Sequence, residues 1–207
     1  VIGVDSSEEM LSSARSTPSR VQWRWGNLMN WQPDHKPSLL FCNAVIQWLP
    51  DHQEFIPRIW SMLSSGGCLA VQAPMSWDLP SHKVIRDALK DSSIGDVNVR
   101  LRGYELKSNE DLGWLHNPDF YFDLLSSQSV HIDMWSTEYV HILEGDNAVL
   151  EWVKGTSLRP ILAALNKKEQ NIYLEIVRQR LNQIYQRRSD GTTLYRFRRL
   201  FFVAVHR

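Results

Sequence analysis

Asn43, Gln47 and Trp48 stand directly behind the run Leu39-Leu40-Phe41-Cys42, and here the chain first offers polar groups able to hold a ligand. An unbroken apolar run fits a strand buried on both faces of a parallel sheet, and in open α/β sheets ligands lie at the carboxyl ends of the strands. The other reading is an ordinary loop behind a core strand, since turns favour Asn and Asp for local reasons. Asp5 poses the same choice. It ends Val1-Ile2-Gly3-Val4 and can accept two donors at once, as strand-tip carboxylates do from ribose hydroxyls in nucleotide folds. It can equally serve as a cap for the helix that Ser6-Ser7-Glu8-Glu9 opens. Other chemistries lose ground. No C-x-x-C pair, H-E-x-x-H, P-loop or G-x-S-x-G occurs, and the 7 histidines are scattered, which counts against metal, P-loop phosphoryl and nucleophile-elbow catalysis. No G-x-G-x-x-G occurs either; it would belong ahead of Val1.

The elements that must carry these residues alternate along the first half. Residues 1–4 form a strand, followed by a helix with Met10, Leu11 and Ala14 on its apolar side. Residues 21–25 alternate as a strand stopped by Gly26-Asn27-Leu28, and 39–42 form the buried strand already described. Pro50-Asp51 opens a helix in which Phe55, Ile56, Ile59, Trp60 and Leu63 recur at helical spacing until Gly66-Gly67. Pro57 fits there only near a first turn or at a kink. Residues 68–73 give another buried strand, and Pro80-Ser81-His82 leads into a helix carrying Val84, Ile85, Ala88 and Leu89. This alternation predicts a Rossmann-like, doubly wound, mostly parallel α/β sheet. After a connection over 91–107 the rhythm changes. A helix-like run at 118–125 precedes an alternating segment at 130–143, a long strand in two parts, and two or three helices fill 147–185. Asp190-Gly191 turns the chain into a closing strand over 194–205. The prediction is a single domain, 1–207, with a helical lobe, 147–185, forming one wall of a pocket.

Composition narrows the class. The 207 residues are 43% hydrophobic, enough for one sizeable core. Lys and Arg number 23, Asp and Glu 23, so the formal charge is zero and there is no broad electrostatic footprint for nucleic acid or an anionic membrane. No apolar run spans a bilayer and no signal-type segment appears, which points to a cytoplasmic protein. Cys42 and Cys68 sit in apolar runs and read as small hydrophobes, and most of the 9 tryptophans read as packing.

Val-Ile-Gly-Val-Asp-Ser-Ser-Glu-Glu-Met-Leu at 1–11 resembles the second strand and following helix of class I S-adenosylmethionine-dependent methyltransferases. More narrowly, Asn43-Ala44, Gln47-Trp48-Leu49-Pro50-Asp51-His52, Leu69-Ala70-Val71-Gln72, Pro80-Ser81-His82, Leu158-Arg159-Pro160 and Arg199-Leu200-Phe201-Phe202-Val203-Ala204 resemble the trans-aconitate methyltransferases. The resemblance implies S-adenosylmethionine as cofactor, with Asp5 at the ribose and Ser6 next to it among the cofactor-binding residues, Asn27 and Leu28 beside the adenine, Asn43 near the methionine part, and Gln47 and Trp48 lining the adjoining wall. Asn27 departs from the family's usual Asp, which removes a charge and weakens its hydrogen bond to adenine.

The reaction implied is O-methylation of a carboxylate on a small polycarboxylic acid. Such an oxygen is already ionised at neutral pH, with carboxyl pKa values near ~4, so no general base is expected and no catalytic residue is assigned. Positioning can supply roughly 7 to 11 kcal/mol at best. The acid's other arms need cationic partners: Arg159 and Arg199 by resemblance, with His82 and His141 behind them, each Arg having a surface ion pair as its other reading. A methyltransferase-like remnant without cofactor binding, or a carboxyl methyltransferase for another acid, are the alternatives. Opening on a strand without an initiator Met, the chain reads as the remainder of a longer protein. A sheet lacking its first strand and Gly-rich loop is expected to be unstable and to bind S-adenosylmethionine poorly.

Overall fold

In the computed structural model, which describes residues 1–76, 79–94 and 115–207, the first half alternates as its periodicity requires. β1 (Ile2–Asp5), α1 (Glu8–Ser16) and β2 (Gln22–Trp25) are followed by β3 (Leu39–Asn43), a 3₁₀ turn (Ile46–Trp48), α2 (His52–Ser61), β4 (Cys68–Pro74) and α3 (Pro80–Ala88). The second half comprises α4 (Pro118–Leu125), β5 (Ser129–Glu144), α5 (Ala148–Lys154), α6 (Arg159–Ala164), α7 (Lys167–Ile184) and β6 (Thr192–His206). Most of the connection expected over 91–107 lies outside the described residues. The segment expected as a strand in two parts is a single strand, β5, with one register irregularity between Ser129 and His131.

Local chemistry sets the helix ends. The Ser7 side chain accepts from the Met10 N–H and caps α1, Asn117 does the same for α4 from Phe120, and Asn166 with Glu169 forms a full capping box on α7. Ser7 rather than Asp5 is therefore the cap of α1. Pro57 lies inside α2, beyond its first turn, and the hydrogen bond it forgoes is offset by burial of Phe55, Ile56, Ile59 and Trp60.

Among the described residues the strands form two sheets, β1-β2 and β3-β4-β6-β5. The β1-β2 and β3-β4 pairs are parallel, whereas β6 runs antiparallel to both β4 and β5. Pairing of β4 with β6 ends at Pro74 opposite Arg199, yet β5 stays paired with β6 as far as Glu144 opposite Thr192. The β5-β6 ribbon therefore overhangs the carboxyl end of β4 by roughly 24 Å at ~3.4 Å per residue.

Alternation along β6 serves two cores. Leu200, Phe202 and Ala204 pack with the 3₁₀ turn, α2, α4, β3 and β4, including Ile46, Phe55, Trp60 and Tyr121. Tyr195 and Phe197, on the opposite face, pack with α3 and the lobe helices through Val149, Val153, Tyr173, Val177 and Leu181. The lobe thus seats on the overhanging ribbon. Cys42 is buried and Cys68 half-buried, both free, and burial pushes the Cys42 thiol up to about 11, so it behaves as a hydrophobe. The tryptophans divide: Trp60 is 1% exposed, but Trp25 and Trp48 are 63% and 59% exposed.

Candidate active site

At the carboxyl end of β3 the chain adopts a conformation that alanine seldom takes. Ala44 has φ of 53°, a left-handed geometry costing roughly 1–2 kcal/mol for a residue with a Cβ. Two glutamines hold it there. The Ala44 N–H donates to the Gln72 carbonyl at 2.8 Å, and the Ala44 carbonyl accepts from Gln47 Nε2 at 2.8 Å. A carbonyl only accepts, so the Gln47 amide must present its nitrogen to it, leaving Oε1 buried and without a partner among the described residues. Asn43 is exposed beside it, and Trp48, on the same 3₁₀ turn as Gln47, is open to solvent.

That turn is anchored from below. His52, 1% exposed, has Nε2 2.8 Å from the Ile46 carbonyl and Nδ1 2.7 Å from the Tyr121 hydroxyl. The carbonyl fixes the proton on Nε2, so Tyr121 donates to Nδ1, while its oxygen accepts the His116 N–H at 3.2 Å. Burial lowers the His52 pKa and keeps this arrangement neutral.

A second group gathers where β1 and β2 end side by side. Asp5 Oδ1 accepts the Ser7 N–H at 2.8 Å, which leaves Oδ2 for a ligand. The Ser6 carbonyl accepts from Trp25 Nε1 at 3.0 Å, and Asn27 Oδ1 accepts the Met29 N–H at 2.9 Å. Leu28 is half-buried against the α2 side of the sheet, and its carbonyl and that of Trp31 accept from Arg58 of α2. Arg58 thus ties the β1-β2 unit to the helix behind the β3 rim.

The four candidates for holding an acid are placed very differently. Arg199 is half-buried opposite Pro74, donates to Gln72 Oε1 at 3.0 Å, and lies 5.2 Å and 5.9 Å from the ring centres of Phe197 and Tyr139. No acidic side chain of the described residues pairs with it. His141, on the same ribbon face, packs 4.6 Å from Trp152 with its Nε2 buried and unpartnered among the described residues. Arg159 is exposed and 3.7 Å from Glu9 of α1, the ion-pair alternative. His82 sits instead in a buried network. It is 4% exposed, its Nε2 is 2.7 Å from Ser157 Oγ and its Nδ1 3.2 Å from Ser81 Oγ. Burial, then the Arg86 charge, lowers its pKa to about 4, so at neutral pH it has no charge to offer a carboxylate. Its site is a structural network completed by Tyr195, 3.0 Å from Ser81 Oγ, and Tyr185, which accepts the Ser81 N–H at 3.2 Å.

Gln72 was not among the sequence candidates; its signal was a lone amide in the apolar run 68–73. Among the described residues no cluster of His, Cys, Asp or Glu could hold a metal ion, and no helix is long and apolar enough to cross a membrane. A cavity of about 510 Å³ between the β5-α5 turn and α7 is lined by groups already engaged with one another, Arg187 with Asp146 at 2.6 Å and Asn182 with Asn147 at 2.8 Å.

Residues 1–71 match the family described as a methyltransferase domain. Two solved structures share the fold: the YcgJ protein of Bacillus subtilis, with TM-score 0.54, 10% identity and coverage of 100% of this chain and 82% of that one, and a putative methyltransferase of Bacillus halodurans, with TM-score 0.50, 11% identity and coverage of 99% and 81%. The architecture is the Rossmann-like α/β fold of the class I methyltransferases. Within that class, trans-aconitate 2-methyltransferase of Azoarcus sp. strain BH72 is 40% identical over 205 residues, 99% of this chain and 77% of the relative. The chain belongs to the trans-aconitate methyltransferase family.

Proposed function

We propose that the protein is an S-adenosylmethionine-dependent carboxyl O-methyltransferase acting on trans-aconitate, in the cytoplasm and without a nucleic-acid partner. The relative's name supports the substrate, and the balanced charge speaks against a polyanion. Identity of 40% over nearly the whole chain does not favour a non-catalytic remnant.

The residues present suit the cofactor. Gln47 Oε1, a buried acceptor without a protein donor, matches the ammonium of the methionine part, with Asn43 and Trp48 along the adjoining wall. Asp5 Oδ2 and Ser6 suit the ribose, and Leu28 with the Asn27 carboxamide the adenine. When bound, the cofactor supplies an electrophilic methyl group on a sulfonium. The protein's task is to place a carboxylate oxygen, already ionised, in line with it and exclude water; no residue need take a proton.

The observation that carries the substrate reading is Arg199. A half-buried guanidinium beside the carboxyl end of β4, with no acidic partner among the described residues, is suited to a carboxylate supplied by a ligand. Arg159, exposed at the start of α6 and 3.7 Å from Glu9, would meet the acid only after leaving that carboxylate. The test is transfer of labelled methyl from S-adenosylmethionine to trans-aconitate by the native protein, with the product identified as a monomethyl ester. Absence of transfer to any polycarboxylate would overturn the reading.

A further inference from the structure

Gln72 is 6% exposed, and its two polar atoms have unequal fates. Arg199 can only donate, so the oxygen of the amide must be the atom 3.0 Å from its guanidinium. The other atom, Nε2, is then fixed as a donor, and it is buried with no acceptor among the described residues. Buried amide N–H groups are rarely left unpaired. The Gln72 carbonyl simultaneously accepts the Ala44 N–H at the strained turn, so its backbone cannot shift to relieve the side chain. The Phe197 and Tyr139 rings limit where the Arg199 guanidinium can go.

Resting on the proposed methylation of a polycarboxylate, we infer that Gln72 is a substrate-binding, specificity-determining residue: its Nε2 and the Arg199 guanidinium together grip one non-reacting carboxylate of the acid. A carboxylate has two oxygens and only accepts, which matches one fixed amide donor beside one fixed guanidinium. The amide adds no charge of its own, so the pair carries a single positive charge for a single carboxylate, and Gln72 Oε1 sets which guanidinium edge remains for the ligand.

The test is calorimetric titration of trans-aconitate, and of crotonate as a monoacid, into the native protein saturated with S-adenosylhomocysteine, comparing wild type with Gln72→Met and Gln72→Glu. Gln72→Met keeps the length but cannot donate. It should weaken trans-aconitate about 10- to 100-fold, the range for one hydrogen bond to a charged group, and leave crotonate and S-adenosylhomocysteine binding unchanged. Gln72→Glu can still accept from Arg199 but repels the acid, so its loss should be at least as large; it carries the test if Gln72→Met does not fold. Equal trans-aconitate affinity in wild type and variant, or an equal loss for both acids, would overturn the inference and make Gln72 a structural support. Binding by the wild type without methyl transfer would leave the subsite standing and overturn the proposed reaction instead.

Discussion

Asp5 and His82 are both polar residues near element ends, yet burial gives them opposite standing. Asp5 is exposed, spends one oxygen on Ser7 and keeps the other. Asp5→Ala is expected to weaken S-adenosylmethionine by about 1.5 to 3 kcal/mol, as for hydrogen bonds to charged groups, with little change in melting temperature because Ser7 caps α1; calorimetry and a thermal melt check both. His82 is buried and neutral, with its pKa lowered to about 4 against about 6.5 in an unfolded chain. The unfolded state therefore binds the extra proton first. Stability from this site is complete above about pH 6.5 and falls progressively toward pH 4, by about 3 kcal/mol in all. Denaturant midpoints measured from pH 7.5 to 4 should fall less steeply in His82→Gln than in wild type; equal slopes would assign the acid lability elsewhere. The sequence placed His82 beside a helix start, but nothing in residue type distinguishes a cation at a rim from an imidazole held by Ser157 and by Ser81, which Tyr195 engages in turn, Ser157 and Tyr195 being distant along the chain.

At the level of elements, the strands and helices were readable wherever apolar spacing was unambiguous, as for α2 and β4. The candidate site was readable where polar residues interrupt such spacing, as at 43–48. What escaped was long-range: that the 3₁₀ turn rests on α4 through His52 and Tyr121, residues far apart in sequence, and that Gln72 faces Arg199 across two antiparallel strands. Removing the hydroxyl in Tyr121→Phe leaves buried His52 Nδ1 without its donor. The expected cost is about 1 to 3 kcal/mol, or roughly 2 to 12 °C in a protein of this size. If the turn positions Gln47, a rise in KM for S-adenosylmethionine should accompany the fall in stability, with kcat little affected; a melting shift alone would reduce Tyr121 to packing.

Across the whole molecule, the expected Rossmann-like α/β architecture is present with its strands in two sheets, and β1 and β3 each have only one strand partner among the described residues. The long ribbon and its lobe were harder to anticipate, because the alternation over 130–143 states a strand's length but not how far it outruns its neighbours. One consequence of the overhang concerns cooperativity. A single strand, β6, gives Tyr195 and Phe197 to one core and Leu200, Phe202 and Ala204 to the other, with Arg199 between them. The lobe can then open as a foldon of its own while the sheet remains intact. Native-state hydrogen exchange should divide the amides of β6 at residues 198–199, the earlier ones sharing one opening free energy with α5 and α7 and the later ones a higher one with β4. A single shared value along the strand would mean that lobe and sheet open together. If the division holds and Arg199 holds the acid as proposed, the enzyme can release and recapture its acid by partial unfolding of one arm, and affinity for the acid should depend on how firmly Tyr195 and Phe197 are held, residues that need never touch the ligand.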